Sequence, residues 1–131
     1  MDRSETVDGI ERIDAWERSI AHRAEQARAL ARRASNLSAT ARSRDGLVEV
    51  TVDAEGQLTR LRLDERTRQQ SSAATADAIM QTLQAAKDGL VRQFEEATAE
   101  TVGADSETGR ALNEAMRRRL GPPTEPTGGH R

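Results

Sequence analysis

The residues of this chain best suited to chemistry are its arginines. Of 20 cationic side chains, only Lys87 is a lysine, a bias that fits a GC-rich genome better than selection for phosphate contacts. A guanidinium is permanently charged and presents a planar fork of donors that matches a phosphate. The densest set is Arg23, Arg28, Arg32 and Arg33, continuing to Arg42 and Arg44, with Glu25 the only acidic residue between positions 23 and 44. These six are the candidate contacts to duplex phosphates. The competing structural reading is that cations near a helix C-terminus complement its dipole. Arg117, Arg118 and Arg119 form a second cluster, diluted by Glu107 and Glu114. Arg60 and Arg62 alternate with Leu61 and Leu63 and are expected to pair across strands with Glu49 rather than to meet DNA.

Other chemistries find no residues to carry them. There is no Cys, so disulfides and thiolate metal sites are excluded. The two histidines, His22 and His130, have no metal-ligand spacing around them, and neither a phosphate-binding loop nor a nucleophile elbow is present. Asp14, Glu17, Glu95 and Glu96 read as helix surface, and Glu11, Arg12, Asp14 and Arg18 as ion pairs on an exposed face. The expectation is a non-enzymatic protein without metal or cofactor. Trp16 and Phe94 are the only aromatics, which disfavours single-strand recognition by base stacking. A polar, acidic start and the lack of an 18-residue apolar run give the expectation of a cytoplasmic protein with no membrane partner.

The elements that must position these arginines follow from periodicity. After a loose leader over 1–7, a helix is expected over about 8–36. Ile10, Ile13, Ile20, Ala24, Ala27, Ala31 and Ala34 recur in steps of three and four, interrupted by Glu17 and widened by Trp16 and Leu30. Strands are expected within about 38–64: a weak one at 38–43, then LVEVTVD at 47–53 and QLTRLRLD at 57–64, joined by turns at Asp45-Gly46 and at 53–56. Leu58 is out of phase with Leu61, which implies a bulge or twist. A polar link leads to a second helix over about 73–102, with Ala76, Ile79, Leu83, Ala86, Leu90, Phe94 and Ala97 in one stripe. The domain would occupy 1–103. The extension 104–131 would hold a short helix over 106–120 and a disordered Pro- and Gly-rich tail.

The chain is 35% hydrophobic, much of it Ala, and a helix of about 28 residues runs about 42 Å, twice the span of six-residue strands. One sheet cannot cover two such helices, so a second copy is expected to complete the core. The apolar set Val48, Val50, Val52, Leu61 and Leu63 is the surface through which that dimer would close.

A helix, then GLVEVTVDAEGQLTRLRLD, then a helix containing AIMQTLQAAKDGL, resembles the YbaB/EbfC family of small bacterial nucleoid-associated, DNA-binding proteins. Gly46, Val48, Val50, Val52, Gly56, Leu61, Leu63 and Asp64 carry the hairpin part of the likeness, and Leu83, Ala86, Lys87 and Asp88 the helical part. It spans roughly 10–100. The resemblance implies an α+β subunit of order α-β-β-β-α, with a three-stranded antiparallel meander between two long helices. It also implies a tweezers-like homodimer, located in the nucleoid, that binds double-stranded DNA. NLSATARSRDG stands where familiar members carry a Gly- and Met-rich stretch, and the C-terminal extension is longer; both features look like divergent actinomycete members.

Two functions therefore stand side by side. One is a homodimer holding duplex backbone with little sequence preference. The other is a protein-interaction module on the same fold, secretion-associated or regulatory, which the net charge of −2 and the mixed signs on the helices favour.

Overall fold

A computed structural model describes residues 3–103 and 105–121. Their order is α1 (Arg3–Ser35), β1 (Ala39–Arg42), β2 (Val48–Val52), β3 (Leu58–Leu63), a 3-10 turn (Glu65–Gln69), α2 (Ser72–Thr101) and α3 (Glu107–Leu120). This is the expected α+β arrangement, α-β-β-β-α, with a third helix appended. Two local readings are corrected. Arg3–Val7 are the first residues of α1 rather than a loose leader, and the polar link winds into a 3-10 turn capped by Asp64. The tail 122–131, expected to be disordered, and His130 lie outside the described residues.

The strands form one antiparallel sheet in the order β1-β2-β3. Aspartates fix both hairpins. Asp45 Oδ1 accepts from Ser43 Oγ at 2.7 Å and from the Leu47 amide at 3.0 Å; Asp53 Oδ1 accepts from the Glu55 and Gln57 amides at 2.9 and 3.0 Å. Gly46 and Gly56 supply the left-handed residue each turn needs, at φ of 76° and 82°. The ladder sets Val48 opposite Leu63 and Val50 opposite Leu61, then slips at Thr51/Val52 so that Val52 faces Leu58. That slip is the bulge expected from the phase of Leu58, and it returns Leu58 to the apolar side.

The alternation of β2 gives the sheet two faces. Ala39, Val48, Val50 and Val52 are buried beneath Ala86 and Leu90 of α2. Gly89 of α2 sits over Ala39, where a Cβ would lie 3.6 Å from Ala39 Cβ, an ordinary van der Waals contact. Two threonines on the buried side of α2 are satisfied locally. Thr82 and Thr98 hydroxyls donate to the Ala78 and Phe94 carbonyls at 2.7 and 2.8 Å. Helix α3 then folds back on α2. Leu120, 2% exposed, enters the core beside the valines, lies against Gly56, and has its carbonyl held by Gln84 Nε2 at 3.1 Å.

A second apolar cluster joins α1 to α2 through Leu30, Phe94 and Ala97, with Ala34, Leu37, Leu112 and Met116 around it. The buried side of α1 is thus Leu30 and Ala34, not the whole Ile/Ala stripe. Ile10, Ile13, Ile20, Ala27 and Ala31 remain exposed. Strand β3 is also bare. Leu58, Leu61 and Leu63 share the apolar side with the buried valines but lie at the sheet edge, 39 to 47% exposed.

Candidate nucleic-acid interface

The arginines singled out by the sequence sit on three elements. Arg23, Arg28, Arg32 and Arg33 project from α1, where a run of helix formers holds about three turns at the 1.5 Å rise per residue. Glu25 collects two of them. Its Oε1 accepts from Arg28 Nη2 at 3.0 Å and its Oε2 from Arg32 Nη2 at 3.3 Å. These bonds hold the Glu25 carboxyl below the usual carboxylate range, the Arg28 bond contributing most. Arg33 crosses to Glu100 of α2. Among the described residues Arg23 makes no ion pair. The expected pairing of Arg12 and Arg18 with neighbouring carboxylates is absent as well; Arg12 Nε instead reaches the Asp8 carbonyl at 3.4 Å.

Arg42 and Arg44 lie elsewhere. Strand β1 runs antiparallel to α2, so Ala39 meets Gly89 while Arg42 and Arg44 line a depression with Ala78, Gln81, Thr82 and Ala85. Arg33 is held at Glu100, 15 to 22 residues further along α2, about 22 to 33 Å at the helical rise. The six arginines therefore make two groups at opposite ends of the subunit rather than one continuous patch.

The group at the β1–β2 end includes residues the sequence left aside. On the sheet face away from α2, the register aligns Arg42, Glu49 and Arg62 in one row and Thr40, Thr51 and Arg60 in the next. Glu49 pairs with Arg42, at 3.4 Å, and not with Arg62 or Arg60 as expected. Three guanidiniums and one carboxylate thus share an open face. Alternation alone put Arg60 and Arg62 together; that Arg42 takes Glu49 needed the register of β1, a weak strand in sequence terms. Near this edge Asp64 caps the 3-10 turn by accepting from the Arg66 amide at 2.9 Å. The Arg66 guanidinium and that amide hold the Asp64 carboxyl below its usual value.

The third cluster is largely occupied. Arg117 pairs with Glu95 of α2, with Nε to Oε2 at 2.7 Å, and Arg118 pairs with Glu114 at 3.7 Å. Among the described residues no group of His, Asp and Glu could hold a metal ion, and no helix is long and apolar enough to cross a membrane.

The set expected to form the dimer surface divides in two, and for its valines that expectation is corrected, because α2 of the same subunit covers them. Val48, Val50 and Val52 are fully buried within the subunit, and Leu61 and Leu63 are on its surface. No curated protein and no solved structure was found that matches the chain. Residues 16–105, which span the basic half of α1, the sheet with both of its charged rows, and α2, match the model of the YbaB/EbfC DNA-binding family, and the chain belongs to that family.

Proposed function

We propose that this protein is a non-enzymatic, nucleoid-associated binder of duplex DNA that acts as a homodimer in the bacterial cytoplasm. The observation that carries the reading is membership of a DNA-binding family over the segment that holds Arg23, Arg28, Arg32, Arg33, Arg42 and Arg44. Of these six, Arg23 and Arg44 have no ion pair among the described residues, and they are the first contacts expected. The other four are held by Glu25, Glu49 and Glu100 and reach a phosphate only as far as those carboxylates release them. Such contacts read the backbone, so sequence preference is low and salt dependence steep. The dimer closes over Leu58, Leu61 and Leu63, which complete an apolar face already begun by the valines.

The test is fluorescence anisotropy of a labelled random-sequence duplex from about 50 to about 200 mM salt. Binding that weakens steeply supports the reading. No binding at the lowest salt overturns it. The second reading, a protein-interaction module, is favoured by one observation: four of the six arginines are already engaged by Glu25, Glu49 and Glu100. In that case the same titration stays flat and a protein partner co-purifies in stable complex.

A further inference from the structure

Helix α1 is 33 residues long, about 50 Å, yet only its last turns pack on the rest of the subunit. Along the remainder, Val7, Ile10, Ile13, Trp16 and Ile20 are 45 to 66% exposed. Scattered surface apolar residues need no explanation; a line of them on a projecting helix does. Leu30 and Ala34 already face α2, and the Ile13–Ile20–Ala31 line is turned roughly a quarter of a revolution away from Leu30 at about 100° per residue. Folding of this subunit therefore leaves that line free.

The line has an internal symmetry. Its positions, 10, 13, 17, 20, 24, 27, 31 and 34, show the same spacing read from either end. Reversed upon itself about a point near His22, the helix sets Ile13 over Ala31, Glu17 over Ala27 and Ile20 over Ala24 of a second copy, while Ala34, opposite Ile10 in this pattern, is already turned to α2. These are the a-to-d layers of an antiparallel pair. Every layer then joins one long side chain to one Ala, so the two axes keep an even separation and the contact fills without voids. A parallel pair would stack Ile on Ile at one end and Ala on Ala at the other, and no single separation would pack both.

Charge points the same way. Residues 8–18 carry Asp8, Glu11, Asp14 and Glu17 against Arg12 and Arg18, whereas residues 23–33 carry four arginines against Glu25. Antiparallel pairing lays the acidic half of each helix on the basic half of the other and sets Asp14 beside Arg28 of the second copy. Parallel pairing lays like on like.

We propose that α1 is a self-association surface: two copies of this chain pair antiparallel through the Ile13–Ala31 line. This contact is separate from the Leu58–Leu61–Leu63 edge and does not depend on the proposed DNA binding. Together, two self-contacts on one subunit join dimers into larger assemblies. Assemblies of this kind would hold the basic groups of several subunits at fixed spacing.

The absence of Cys makes the test direct. Two full-length variants, Ile13→Cys and Ala31→Cys, substitute exposed positions and are treated with a short bismaleimide separately and as an equal mixture. The expected result on a denaturing gel is a covalent dimer from the mixture only. Dimer from each variant alone, equal dimer in all three samples, or dimer in none overturns the proposal. Glu17→Leu supplies a second readout, because it replaces the one charged layer with a well-packed one. Sedimentation should show assembly persisting at about tenfold lower concentration. Unchanged or weakened assembly in this variant also overturns it. Both readouts are made without DNA, so failure here and failure of DNA binding are distinguishable.

Discussion

Glu25→Ala should strengthen DNA binding and make it more sensitive to salt. In the free protein one carboxylate holds two guanidiniums, Arg28 Nη2 at 3.0 Å and Arg32 Nη2 at 3.3 Å. Removing it frees both and deletes a negative charge from the basic half of α1. Helix α1 tolerates the change, since Ala is the strongest helix former. Each phosphate neutralised adds about 0.9 to the slope of log affinity against log salt. If both arginines in each subunit of a dimer take a phosphate, four new contacts steepen that slope by about 3.6. Between about 50 and about 200 mM salt the variant then loses roughly a hundredfold more affinity than the parent. Arg23→Ala is the converse: it removes a guanidinium without an ion pair and should flatten the slope by about 1.8 per dimer, equally on all sequences. The assay is the anisotropy titration repeated on the two variants. Unchanged slopes in both would refute the placement of DNA along the C-terminal half of α1.

Three further outcomes follow from packing and protonation. Leu120→Ala opens a cavity beneath Gly56 and should cost about 3 kcal/mol, read as a lowered urea midpoint by circular dichroism; a change below about 0.5 kcal/mol would mean that α3 is not docked on the core. Leu61→Asp with Leu63→Asp puts charges on an edge that is bare in the single subunit, so the fold should survive while the mass contributed by that contact is lost; unchanged mass in sedimentation would dissociate β3 from the dimer. Asp45 and Asp64 are held below the ordinary value of 3.8, Asp45 chiefly by the Ser43 hydroxyl and Asp64 chiefly by Arg66. Groups depressed on folding contribute stability that is present above their unfolded value and lost as pH falls through the folded one. Thermal stability should therefore stay level from about pH 8 to about pH 5 on their account and decline below the ordinary Asp range, with Asp45→Asn and Asp64→Asn shrinking that decline.

The sequence made the sheet and α2 legible because each obeys one strong period with one satisfied face. Val48, Val50 and Val52 alternate strictly, and the α2 stripe lands on them with Ala86 and Leu90 and on Leu30 with Phe94 and Ala97. It was less informative wherever two surfaces compete for one element. Helix α1 carries an Ile/Ala line and, beside it, Leu30; periodicity favours the longer line, but within a subunit burial goes to the residue with a partner within reach, and that is Leu30 against Phe94. Ion pairing had the same limit. Glu49 has Arg62 directly opposite on β3 and Arg42 opposite on β1, and only the folded geometry decides that Arg42 takes it. Nothing local marks Leu120 as a core residue; its site is created by a glycine 64 positions earlier, whose missing side chain leaves the space it fills. The candidate interface lies where these ambiguities concentrate. An arginine binds phosphate only with what its carboxylate neighbours leave free, and those neighbours are assigned by tertiary contacts: Glu25 within α1, Glu49 across the sheet, Glu100 from α2. The number of arginines is therefore a poor guide to the strength of DNA binding in this chain, and the carboxylates that restrain them are the more informative residues to change.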